Sequence, residues 1–124
     1  MPRYTAAEIE GAVAAWQARL GLVDWKLTVK VGRFRGARRA AAEVEFEYKS
    51  ATLYFNPAGM EKYGDELHET VVHELAHIPN WGLSRLAERY AGTDPEKLDR
   101  INDELEIATT LTERLILRIT GGTP

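Results

Sequence analysis

The sequence predicts an α+β protein folded as one domain over residues 1–124. It comprises an N-terminal helix, a three-stranded antiparallel sheet, a motif-bearing helix and further C-terminal helices, with the helices packed on one face of the sheet. Three observations carry this reading. Apolar residues recur every three to four positions toward both ends of the chain, the period of a helix with one buried face. Only the stretch from Trp25 to Phe55 alternates apolar and polar residues, the period of a half-buried strand. A chain of 124 residues with 44% hydrophobic and 28% charged positions suits a single core, not two.

The elements follow in order. Thr5-Ala6-Ala7-Glu8 reads as a capping box, in which hydroxyl and carboxylate satisfy helix-end amides reciprocally. Ile9, Val13, Trp16 and Leu20 then recur at helical spacing, and Gly21 supplies the stop. Trp25 to Val31 alternates as a first strand, and Glu43 to Tyr48 as a second. After Lys49-Ser50 a third strand, Ala51 to Phe55, closes at Asn56-Pro57. The second and third strands form a hairpin, with Lys26 and Lys30 expected to face Glu43, Glu45 and Glu47 across the solvent side of the sheet. Past a loop through Gly59 and Gly64, a helix runs from about Asp65 to Ile78, where Pro79 ends or kinks it. A middle helix spans about Leu83 to Tyr90 and stops at Gly92. The last begins at Thr93-Asp94-Pro95-Glu96, with a cap, an early proline and a reciprocal glutamate, and runs to about Ile119 before Gly121-Gly122.

Composition removes several function classes. A net charge of −3 argues against nucleic-acid or anionic-membrane binding by the whole surface. The one basic cluster, Gly32 to Arg39, reads as a solvated strand connection that could contact phosphates or steer an acidic substrate. Cysteine is absent, so disulfides, thiolate metal sites and a cysteine nucleophile are absent with it. Met1-Pro2-Arg3-Tyr4 is followed by no apolar run, so neither a signal peptide nor a membrane span is expected, and a cytoplasmic location is the default.

The most specific feature is His73-Glu74-Leu75-Ala76-His77, an H-E-x-x-H run inside an apolar-periodic helix. Two histidines four apart lie about 40° from each other around a helix, so both imidazoles can reach one metal ion. Glu74 sits one position past the first of them, where its carboxylate can take a proton from a metal-bound water. An amphipathic helix that merely happens to carry two histidines is the alternative. Against it, Leu67, Val71, Leu75 and Ile78 form one apolar stripe, while His73 and His77 share another face with Glu66, Glu69 and Thr70. The flanks at Val71, Val72, Leu75, Ala76 and Ile78 are uncharged, as a dry metal site requires.

A catalytic zinc takes three protein ligands. His68, about 140° from His73 around the same helix, points away and reads as a helix-surface histidine. No histidine follows His77, which leaves a carboxylate of the last helix: Asp99, Asp103, Glu104 or Glu106. Ile101, Leu105, Ala108, Leu111, Leu115 and Ile119 define that helix's expected buried stripe, and Glu104 falls within it. A carboxylate embedded there needs a cation, so phase favours Glu104, unless it snorkels or pairs with an arginine such as Arg85. Glu106, roughly 160° from the stripe's centre and alongside Glu113, is the alternative.

H-E-x-x-H on one helix with a glutamate from a later one resembles the gluzincin type of zincin metallopeptidase. The small frame is similar to the minimal members called minigluzincins, and to short metallopeptidase domains of phages and actinobacteria. The likeness covers strand Ala51 to Phe55, Asn56-Pro57, the Val71-Val72 lead-in, the motif and the Glu-bearing helix, while Pro79 departs from the pattern. The resemblance implies a zincin-like fold and one Zn²⁺ per chain on His73, His77 and Glu104. It implies Glu74 as general base and a peptide or protein substrate. It also implies a further Tyr, His or Arg at the oxyanion, for which Tyr48, Tyr54, Tyr63 and Tyr90 all qualify. Two other classes compete: a phage or mobile-element accessory protein that keeps the zinc scaffold with little catalysis, and a zinc hydrolase of non-peptide bonds.

Overall fold

The structure, a computed structural model, describes residues 3–34 and 38–124, without the side chains at 82–84 and 90. Helix α1, Ala6–Arg19, starts at the Thr5–Glu8 capping box and presents Ile9, Val13 and Trp16, at most 2% exposed, to the core. Three strands follow, β1 (Lys26–Val31), β2 (Ala40–Glu45) and β3 (Ser50–Phe55), then α2 (Pro57–Lys62), α3 (Leu67–Ala91) and α4 (Pro95–Thr120). The architecture is α+β. Among the described residues no helix is long and apolar enough to cross a membrane.

The sheet departs from the expected antiparallel arrangement. Its order is β1-β3-β2, with β2 antiparallel to β3 but β1 parallel to it. The expected β2–β3 hairpin is present, pairing Glu45 with Ser50 and Ala40 with Phe55. The reason for the parallel edge is reach. The eight residues between Val31 and Ala40 are enough to span two inter-strand gaps of about 4.8 Å each, which lets β2 pair on the far side of β3. Part of that connection, Arg35 to Ala37, lies outside the described residues. With β3 in the middle, Lys30 does not meet Glu43. Its ammonium lies over the Tyr54 ring, 5.8 Å from the centroid, and the Tyr54 hydroxyl donates to Glu43 at 3.2 Å.

Two element boundaries also move. β2 begins at Ala40, three residues before the alternation becomes visible, because Ala40-Ala41-Ala42 carries no polar contrast. The end of that alternation, Phe46–Tyr48, is a 3₁₀ turn closed by Lys49 in the left-handed region. The expected motif and middle helices are one. α3 continues through Pro79, where Asn80 Nδ2 donates at 3.2 Å to the Ala76 carbonyl in the turn the proline disturbs.

The expected stripe of α3 is where the fold closes: Leu67, Val71, Leu75 and Ile78 are buried against the sheet and α1, with Leu53, Phe55 and Met60. Trp16 Nε1 donates to His68 Nδ1 at 2.9 Å, so His68 is a half-buried anchor between α1 and α3, not a free surface group.

Helix α2 holds the start of β2 in place. Asn56 caps it, accepting from the Gly59 amide at 3.2 Å, while the Asn56 amide donates to the Arg39 carbonyl at 2.8 Å. Gly59 lets Arg38 pass: a Cβ there would lie 1.7 Å from the Arg38 carbonyl oxygen. Gly59→Ala is therefore expected to cost about 1–3 kcal/mol in thermal or denaturant unfolding, and an unchanged midpoint would show that this approach is dispensable.

Candidate metal centre

The face of α3 opposite its core stripe carries His73 and His77, and Glu74 sits at the boundary between the two faces. Metal-ligating atoms of His73, Glu74 and His77 lie within 4.8 Å of one another, so this group could hold a metal ion. Glu74 is 5% exposed, and its Oε2 is buried with no hydrogen-bond partner among the described residues. A buried carboxylate oxygen left without a donor is costly unless a cation or a bound water completes it. The two imidazoles beside it supply the remaining donors of such a site, so the residues present fit a metal ion.

Helix α4 closes the site from above, in a phase that differs from the expected one. Glu106 Oε1 lies 2.7 Å from His73 Nε2, and Glu106 Oε2 lies 3.8 Å from His77 Nε2. Glu113, seven residues on, places Oε1 2.8 Å from His73 Nδ1. Glu104 is not brought to the histidines. Two residues from Glu106 it points roughly 160° away and lines a groove with Ala87, Ile101 and Ala108, beside Lys97 and Arg100. Thr109 is buried and Glu113 half-buried, with the exposed Glu106 reaching over His73, while Leu111, Leu115 and Ile119 of the expected buried stripe are exposed. Arg85, offered as a partner for Glu104, pairs instead with Glu47.

The electrostatics follow from this packing. Burial pushes the Glu74 carboxyl up to about 7; His73 opposes the shift, and Glu106 and Glu113 add to it. Burial alone would lower His73, but the Glu113 hydrogen bond, the Glu74 charge and Glu106 outweigh it and raise its pKa. Both ring nitrogens of His73 face carboxylates, an arrangement that favours its protonated form and that a metal would compete with at Nε2. His77 shifts down, mainly through burial and despite Glu106, which leaves it the neutral ring a metal needs.

A cleft of about 440 Å³ opens over His73 and Glu74. Its far wall is Arg39 and Ala40 at the head of β2, and Glu106, Thr110 and Glu113 of α4 close the near side. Arg39, from the basic cluster, forms a fork with Asp65 (Nε to Oδ2 2.6 Å), and that carboxylate raises its pKa. None of the tyrosines considered for the oxyanion lines this cleft among the described side chains. Tyr48 and Tyr63 are exposed, Tyr54 serves Glu43, and the Tyr90 side chain lies outside the described set. Arg39 is the cation found there. Its place in the cleft follows from β2 beginning at Ala40, which no sequence pattern revealed.

The site thus gathers histidines and carboxylates that could hold a metal ion at the junction of two long helices. Comparison with protein-family models, with curated proteins and with solved structures returns no match for this chain.

Proposed function

We propose that this protein is a zinc-dependent peptidase with a zincin-like site, in which His73, His77 and Glu106 hold the metal and Glu74 is the general base. The observation that supports it most is the buried Glu74 carboxylate, with an unpartnered Oε2 beside two histidine ligands and a pKa pushed up to about 7. An oxygen donor set with two imidazoles and no thiolate suits Zn²⁺ in an open, hydrolytic site. When bound there, zinc supplies Lewis acidity toward a water and toward the substrate carbonyl.

The rest falls to the chain's own residues. Glu74 Oε2 takes the proton of the attacking water and returns it to the leaving amine, and a pKa near the working pH allows both transfers. Glu113 fixes the His73 ring through Nδ1, so that Nε2 is turned toward Glu106 and the metal they would share. Among the described residues β2 is an edge strand, paired only with β3, and its first residue lines the cleft. Its outer edge offers backbone groups to an extended peptide, which favours a peptide over other acyl substrates. Arg39, held by Asp65, stands at the cleft wall as the available donor to a developing oxyanion.

The test is cleavage of a diverse peptide library by zinc-loaded protein, with Glu74→Gln as control. Cleavage lost in the control supports the reading, and absence of cleavage by the zinc-loaded wild type would refute it. Because Glu113 supports His73 without being a ligand, Glu113→Ala is expected to weaken zinc binding by roughly 10–100-fold. Competition with a chromogenic chelator would measure this, and unchanged affinity would remove Glu113 from the site.

A further inference from the structure

We propose that α4 is the contact surface of a two-fold symmetric dimer, in which the helix packs antiparallel against α4 of a second copy of this chain. Ile107, Leu111, Leu115 and Ile119 are 54%, 58%, 58% and 72% exposed. They follow each other at four-residue steps, so they form one continuous ridge along the helix's outer side. A monomer has no use for such a ridge on the face turned away from its own core.

Charge identifies the occupant. Glu104 and Arg118 lie seven residues before and after Leu111, so both point within about 20° of its direction. Among the described residues neither belongs to an ion pair. A two-fold axis passing beside Leu111 sets Glu104 opposite Arg118 of the second copy, twice by symmetry, and Ile107 opposite Leu115. The same register sets Ile119 of the second copy beside residue 103. There it meets the largely apolar groove between α3 and α4, where Ala87, Ala91, Ile101, Leu105 and Ala108 lie beside Lys97, Arg100 and Glu104. One rotation therefore matches the ridge, the charges and the groove together. A parallel pairing would set Glu104 against Glu104 and Arg118 against Arg118.

The metal centre is on the opposite side of α4, so this surface is independent of the catalytic reading. Sedimentation of the wild type up to about 100 µM should show a dimer. Glu104→Arg, which opposes two arginines twice, should raise the dissociation constant by about tenfold or more, and Glu104→Arg with Arg118→Glu should restore it. The chain has no cysteine, so Leu111→Cys places a single thiol on the axis. It should oxidise to a disulfide-linked dimer, whereas Ile119→Cys, exposed but off the axis, should not. A wild-type monomer throughout, a double variant no tighter than Glu104→Arg, or cross-linking at 119 instead of 111 would overturn the proposal.

Discussion

Glu106→Ala is expected to lower zinc affinity by more than about 100-fold, whereas Glu104→Ala should leave it essentially unchanged. The argument is geometric. Glu106 places one carboxylate oxygen 2.7 Å from His73 Nε2 and the other 3.8 Å from His77 Nε2. Without it two imidazoles remain, and a two-ligand site binds zinc weakly. Glu104 faces the largely apolar groove, so its loss removes nothing from the metal centre. Chelator competition on both variants decides the matter. If Glu104→Ala loses the metal and Glu106→Ala keeps it, Glu104 and not Glu106 is the ligand.

Glu74→Gln is expected to reduce turnover by roughly 10²–10⁴-fold with zinc retained, because an amide cannot accept the water's proton. The rate of the wild type should rise with pH on its acid limb as the Glu74–water pair gives up its proton, and that limb should vanish in the variant. The same substitution should stabilise the metal-free protein. Glu74 ionises at about 7 in the folded chain against 4.5 for an ordinary glutamate. Between those pH values the unfolded chain has released a proton that the folded chain still holds, so stability is greatest below 4.5 and falls as pH rises to about 7. The difference amounts to about 3 kcal/mol, lost in the wild type and kept by the neutral glutamine. Denaturant unfolding of both chelated proteins at pH 4.5 and 8 measures it. Parallel curves for the two proteins would show that Glu74 is not buried in the metal-free state.

Much of the site was legible because a helix converts spacing into direction. The core stripe Leu67, Val71, Leu75 and Ile78, and the separate face with His73 and His77, are as the periodicity of α3 predicts. The carboxylate that the fold brings to the histidines differs from the expected one for a reason equally physical. Phase analysis assumes that the apolar side of a helix is the side its own chain buries. In α4 the side facing α3 mixes Ile116 and Leu117 with the polar row Glu106, Thr109 and Glu113, whose carboxylates meet His73, and the apolar ridge faces out. That polar row recurs at helical spacing too, and two glutamates seven apart on it were the available signal. The sheet order was hidden because pairing is non-local: Lys30 and Glu43 each meet Tyr54, and no alternation pattern says which strand lies between. Pro79 misled through its local rule, since the surrounding packing carries α3 through it.

The metal set itself is tested most directly by diffraction from crystals of protein purified without a metal-affinity tag, recorded on both sides of the zinc absorption edge. One anomalous peak per chain, bonded to His73, His77 and the Glu106 carboxylate with Glu74 beside it, is the expected result. A chain with the same fold and no peak there after zinc soaking, or a peak at Glu104 instead, would contradict it.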